Sequence, residues 1–221
     1  MKKKSMRRTA VMIAALAAAL GGSFASAEVT AGEQIVNLDL GTGIPFLKGI
    51  INQSPTSLAN PGFLIGGQYI YQLTPHIGVG ADIDDSMYGS ADIGVGSGQT
   101  AHFTSNHLGV EAMGRYVFMP QSQWNPYLVA GVGLNENSLK ATVPAGTAFS
   151  GNWASPAYSV GAGVETVLPH SIIAGLEARW RYIGTESYAM NPAITGGGNF
   201  SPGGWSELAI AARLGYRFGG K

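Results

Sequence analysis

From residue 34 onward the chain alternates apolar and polar side chains with a period of two, and it does so in eight separate stretches. That is the signature of strands with one buried and one different face. In "QIVNLDLGTG" (34–43), Val36, Leu38 and Leu40 oppose Asn37 and Asp39. In "GFLIGGQYIYQLT" (62–74), Phe63, Ile65, Tyr69, Tyr71 and Leu73 oppose Gly66, Gln68 and Gln72. "IGVGADIDD" (77–85) sets Ile77, Val79, Ala81 and Ile83 against Asp82 and Asp84. "HLGVEAMGRYVF" (107–118) sets Leu108, Val110, Ala112, Tyr116 and Phe118 against Glu111 and Arg115. "PYLVAGVGLN" (126–135) is the least clear, and Leu128, Ala130, Val132 and Leu134 are favoured as its apolar face. "AYSVGAGVETVL" (157–168) opposes Tyr158, Val160, Ala162 and Val164 to Glu165. "SIIAGLEARWRYIG" (171–184) puts Glu177, Arg179 and Arg181 on one face, and Ile172, Ala174, Leu176, Ala178, Trp180 and Tyr182 on the other. "SELAIAARLGYRF" (206–218) opposes Leu208, Ile210, Ala212, Leu214, Tyr216 and Phe218 to Glu207, Arg213 and Arg217.

The connections differ in length in a regular way. "LTPHI" and "LPHSI" are tight turns, with Pro75 and Pro169 suited to a turn's second position, and "MPQSQWNP" (119–126) is only slightly longer. Segments 44–61, 86–106, 136–156 and 184–205 are long and rich in Gly, Ser, Asn and Pro, and are expected to be loops. Eight strands with short turns at one end and long loops at the other predict an all-β, antiparallel up-and-down transmembrane barrel.

The N-terminus agrees with export. Lys2, Lys3, Lys4, Arg7 and Arg8 precede the apolar "TAVMIAALAAALGG", and Ala25-Ser26-Ala27 is a small-residue cleavage site. Residues 1–27 therefore read as a cleaved signal peptide, and 28–221 as one barrel domain. The precursor carries 13 basic and 13 acidic residues; losing the five basic ones leaves eight against thirteen, a net −5. That balance argues against a nucleic-acid partner. No cysteine is present, so disulfides and thiolate metal sites are ruled out. No later segment is long and apolar enough for a membrane helix, and a closed barrel is the other structure that spans a bilayer.

Alternation by itself leaves open which face is inside, and a soluble binding barrel would alternate too. The remaining lysines, Lys48, Lys140 and Lys221, all fall outside the eight stretches, so the polar faces make a poor water-exposed surface. Aromatics gather at the stretch ends. Tyr69, Tyr71, Tyr116, Phe118, Trp124, Tyr127, Tyr216 and Phe218 lie at the short-turn end. Tyr88, Phe103, Trp153, Tyr158, Trp180, Tyr182 and Trp205 lie at the long-loop end. Two such groups are expected to form the belts at the membrane interfaces.

The hairpin "YSVGAGVETVLPHSIIAGLEARWRYIG" and the terminal "RLGYRF" resemble the small eight-stranded outer-membrane β-barrel superfamily, of the OmpA transmembrane-domain, OmpX, Ail and opacity-protein type. The resemblance implies a non-enzymatic outer-membrane protein with exposed loops. Tyr216 and Phe218 would be its assembly signal, although Gly219, Gly220 and Lys221 follow where many members end on the aromatic. No peptidoglycan-binding domain is expected after Phe218.

The polar faces then carry a structural rather than a chemical expectation. Asp39, Asp82, Asp84, Glu111, Glu165, Glu177 and Glu207 are expected to meet Arg115, Arg179, Arg181, Arg213 and Arg217 as an ion-pair plug, with inward glycines such as Gly78, Gly80, Gly161, Gly163 and Gly175 leaving room for the long side chains. An eight-stranded barrel is just wide enough for side chains to fill it. Ser105 and His107 would share a strand face, but a hydrolase also needs an orienting acid, and Glu111 lies about 13 Å further along the strand. His76 and His170 read as turn residues, "DIDD" (82–85) lacks calcium-loop spacing, and "TGGGNFSPGG" (195–204) lacks the lysine of a phosphate loop. No cofactor is expected. The expected partners are outer-membrane lipid and lipopolysaccharide, periplasmic chaperones and the barrel-assembly machinery, and an unknown extracellular ligand of the loops, with the chain itself monomeric. The expected role is structural or surface interaction: membrane integrity, adhesion or host contact. A small diffusion channel and a lipid A-modifying enzyme are the alternatives.

Overall fold

The computed structural model describes residues 28–51, 54–94, 99–184, 188–192, 199–200 and 205–220. The expected signal peptide, 1–27, and most of the glycine-rich segment 195–204 lie outside the described residues. Strand β1 (Glu33–Pro45) is followed by a small hairpin of β2 (Lys48–Ile51) and β3 (Ser54–Ser57). Next come β4 (Asn60–Gln72), β5 (Ile77–Gly89), its short continuation β6 (Ala91–Gly94), β7 (Thr100–Val117), β8 (Trp124–Val143) and β9 (Gly146–Val167). Strand β10 (Ile172–Gly184), the two-residue β11 (Tyr188–Ala189) and β12 (Asn199–Phe200), and β13 (Trp205–Gly219) complete the order.

Eight strands close on themselves: β1 pairs with β4 and β13, and β5 pairs with β7, so over the span where all eight run the wall is continuous. All pairings are antiparallel between neighbours in the chain, apart from the closing β1–β13 pair. The register climbs round the wall. One row runs from Val79 near the short-turn end through Gly114, Ala130, Val160 and Trp180 to Leu208 near the loop end. This shear is what lets tilted strands close into a barrel.

The apolar faces point outward. Val132 and Leu134 are 58% and 65% exposed, and Leu38, Ile83, Val110, Val160, Leu176 and Leu214 are also exposed. The favoured orientation of the fifth stretch is the observed one. On β8 the outward apolar run extends from Trp124 to Leu134, and on β10 from Ile172 to Tyr182. Both are the about 9–11 residues that a tilted strand needs to cross the hydrocarbon layer. The polar faces point inward, so the fold is inside-out relative to a soluble barrel.

Three expectations need correction. Segment 136–156 is not a loop: β8 and β9 continue to a two-residue turn at Pro144-Ala145, and β5, β6 and β7 take most of 86–106. The alternation persists there but its polarity inverts. Leu139, Ala141, Phe149, Trp153 and Phe103 turn inward, whereas Asn106, Glu136, Lys140 and Asn152 turn outward. A wall that has left the bilayer faces water, so its apolar side must be the inner one. For the same reason Tyr88, Phe103, Trp153 and Trp205 are buried inside the loop end and do not form a lipid-facing belt, and Tyr127 is buried at the other end. Trp124, Tyr158, Trp180 and Tyr182 do face outward. Finally, Ala174 is buried, although its phase in β10 is the outward one.

The interior is therefore layered. At the short-turn end Ile35, Ile70, Met113, Val117, Val129, Val167 and Ile173 pack with Val29 from the segment before β1. Val29 donates its backbone N–H to Pro120 O across the mouth at 2.8 Å. At the loop end Phe103, Phe149, Trp153, Trp205 and Tyr88 pack with Leu47, Leu58, Leu139 and Ile183. Charged residues fill the space between.

Candidate functional site

The charged layer is built from inward rungs of six strands. Each rung is two residues from the next, so a strand delivers Glu177, Arg179 and Arg181 to the lumen in succession from one face of β10. Arg181, 2% exposed, is the hub of the upper half. Its Nη1 and Nη2 donate to Asp84 Oδ2 and Oδ1 at 2.7 and 2.8 Å, a bidentate fork, and its Nε donates to Glu111 Oε1 at 3.0 Å. Glu207, fully buried, lies 3.6 Å from Arg181 Nη1 and accepts from Ser86 Oγ at 2.9 Å and Tyr88 Oη at 2.6 Å.

Arg213 is the hub of the lower half. Its Nε and Nη2 donate to Asp39 at 2.9 and 3.1 Å, and its Nη1 reaches both Glu177 Oε2 at 2.7 Å and Tyr127 Oη at 2.6 Å. Tyr127 in turn donates to Glu177 Oε2 at 3.0 Å. Arg179 joins the two halves, with Glu177 Oε1 at 2.7 Å and Asp82 Oδ1 at 3.1 Å.

Six carboxylates thus share three guanidiniums in this network: Asp39, Asp82, Asp84, Glu111, Glu177 and Glu207 around Arg179, Arg181 and Arg213. Hydroxyl donors offset part of the excess negative charge. Ser86 and Tyr88 serve Glu207, Tyr127 serves Glu177, and Ser159 donates to Glu111. These four are members of the site that the alternation did not single out, because a hydroxyl on an inward rung carries no charge to mark it.

Three expected members stand apart. Arg115 and Glu165 form their own pair towards the short-turn end, where the Arg115 guanidinium lies 4.1 Å from the centre of the Tyr127 ring. Arg217 does not reach the network. It sits at the rim, only partly buried, where it donates to Glu28 O at 2.8 Å and pairs with Glu33 Oε1 at 3.5 Å. Tyr216 and Phe218 point outward beside it, stacked at 6.3 Å.

Glycines admit these groups by absence of a side chain, although not mainly the arginines. A Cβ on Gly163 would lie 2.3 Å from the Tyr127 phenol, and one on Gly131 would lie 2.4 Å from Glu111 Oε2. The hollow between Asp39, Asp82, Asp84 and Glu177 measures about 20 Å3. That is room for about one water molecule.

The other candidates resolve as follows. Ser105 and His107 are both buried on the inner face, but His107 Nδ1 lies 2.8 Å from Asn137 Oδ1 and its Nε2 lies 3.2 Å from Arg181. Both ring nitrogens are occupied by groups other than Ser105, and the ring has no exposed surface. His76 stacks on Tyr116 at 5.7 Å and contacts Val117 O at 2.7 Å. His102 meets Asp92 at 2.6 Å on the outer face. Among the described residues no group of three or more His, Asp or Glu is arranged to hold a metal ion.

A closed barrel with a lipid-compatible exterior and a charged, filled lumen is a transmembrane β-barrel of the small eight-stranded kind. Its fold is shared with solved outer-membrane barrels. It is similar to the outer membrane protein OprG from Pseudomonas aeruginosa, with a TM-score of 0.62 and 14% identity over 88% of this chain and 99% of that one. It is similar also to the Neisserial surface protein A, with a TM-score of 0.54 and 18% identity over 85% of this chain and 99% of that one. No protein-family model matches the chain, and no curated protein matches it in sequence.

Proposed function

We propose that this chain is an integral outer-membrane protein of a Gram-negative envelope, exported by a cleaved signal at 1–27 and acting through its loop end as a surface protein without enzymatic activity. The short turns and both termini face the periplasm. The observation that carries the proposal is the filled lumen: guanidinium–carboxylate pairs lie between two apolar layers, with space for about one water at the centre. A barrel so filled contributes rigidity and a display platform, and passage of solutes is not its work. The names of the two similar structures, an outer membrane protein and a surface protein, support the location.

Two measurements test it. Purified protein in planar bilayers is expected to show no steady ion-scale conductance; a stable conductance would replace the surface role with a small diffusion channel. Protease added to intact cells is expected to cut at the loop end and spare the short turns. Cutting at 73–76 or 118–123 would overturn the orientation.

A further inference from the structure

Where β7, β8 and β9 leave the bilayer band, the chemistry of the outer wall changes row by row. The register places Val110, Leu134 and Pro156 in one outward row, then Leu108, Glu136 and Ala154. Above them come Asn106, Ser138 and Asn152, then Thr104, Lys140 and Ser150. The last two rows line a hollow of about 190 Å3 on the outer face. Rows are about 7 Å apart along a strand, so the hollow begins two rows, about 14 Å, past the last wholly apolar one and about 7 Å past the mixed row. With strands tilted by about 40°, that is a height of about 5–11 Å. The headgroup layer beyond the hydrocarbon is about 5–8 Å deep on each side. The lower of the two rows therefore lies at the outer border of that layer, and the upper, which carries Lys140, about 5 Å beyond it, within the length of a lysine side chain.

The lining decides the occupant. Its outward side chains are hydroxyls, carboxamides and one ammonium, with no aromatic or aliphatic group among them. Leu139 also lines the hollow but turns its side chain inward, so an acyl chain would find little apolar surface there, and a protein partner would lack the aromatic and arginine anchors on which interfaces depend. Short hydroxyl and amide groups match the hydroxyls of a sugar, and a lysine is a point-charge partner for phosphate. Glu136, one row nearer the membrane, would repel an anion below the hollow and favour its placement at Lys140.

We infer that this hollow holds the phosphorylated sugar headgroup of an outer-leaflet glycolipid, with Lys140 on the phosphate and Thr104, Asn106, Ser138, Ser150 and Asn152 on the sugar. The inference rests on the proposed orientation, which puts the loop end at the outer leaflet. The ladder fixes the barrel's height and ties its tall wall to the lipids around it.

The test uses the full mature chain in phosphatidylcholine nanodiscs doped with lipid A bisphosphate or with its phosphatase-treated counterpart. Lipid retained per barrel after repurification is measured by mass spectrometry. Wild type is expected to retain the bisphosphate over the dephosphorylated form, and Lys140→Glu to retain about tenfold less, the loss of one charge-assisted contact. Lys140→Arg is expected to keep retention. Heat-modifiable gel mobility confirms that each variant is folded. Equal retention of the two lipids by wild type, or unchanged retention in folded Lys140→Glu, would overturn the inference. Because the glycolipid occupies both leaflets of the disc, this result does not depend on orientation in the cell, which protease mapping tests separately.

Discussion

Replacing Arg181 with Met tests whether the lumen network holds the barrel together. The substitution keeps a long side chain but removes the guanidinium that donates two bonds to Asp84 and one to Glu111, and that lies 3.6 Å from Glu207. Adding three charge-assisted bonds at about 1.5–3 kcal/mol each would overstate the effect, since the unfolded chain regains water on all these groups. The more relevant quantity is the penalty of leaving buried carboxylates without their cation, about 3–5 kcal/mol. Ser86 and Tyr88 remain on Glu207 and Ser159 remains on Glu111, so Asp84 is the group left most exposed to the loss.

The stability of the protein refolded into lipid vesicles can be read by urea titration, with the folded fraction scored from heat-modifiable mobility and tryptophan fluorescence. Arg181→Met is expected to lose about 3–5 kcal/mol. Arg181→Met with Asp84→Asn is expected to lose less than the single variant, because the stranded charge has gone with its partner. A single-variant loss below about 1 kcal/mol, or a double variant whose losses simply add, would refute the view that these charges are coupled and buried.

Other substitutions probe the layers on either side. Gly163→Ala would set a methyl 2.3 Å from the Tyr127 phenol, so Tyr127 must leave Arg213 and Glu177; a loss of about 1–3 kcal/mol in the same urea titration is expected. Trp205→Ala is expected to cost about 3–5 kcal/mol by opening the buried aromatic layer, whereas Trp180→Ala on the lipid face should cost far less. Single-tryptophan variants in brominated lipid should show quenching of Trp124 and Trp180 and little of Trp153 and Trp205. Leu214→Arg places a charge in the lipid-facing band and is expected to destabilise by about 2–4 kcal/mol at mid-depth.

What could be read from the chain, and what could not, follows from where each residue meets the bilayer. Within the band one rule holds, with apolar out and polar in, so the rungs Glu177, Arg179 and Arg181 show themselves as lumen residues by period alone. Their partners do not. Arg181 meets Asp84 across 97 positions of sequence, a pairing set by the barrel's shear, which no local pattern carries. Arg217 shows the same limit from the other side: it shares a face with Arg213 in β13, yet four residues bring it to the rim, where it meets Glu33 and the chain before β1. Beyond the band the rule reverses. Phe103, Leu139, Phe149 and Trp153 take the inner side there, and Lys140 and Asn152 the outer. Read with the membrane's rule, that stretch is a polar loop whose aromatics belong to an interface belt. Read with water's rule, it is the same strand continuing. The inversion point, between Leu134 and Ser138 on β8, is thus itself a marker of where the wall leaves the bilayer, and it is visible in the sequence once the phase of a strand is followed past its apolar run.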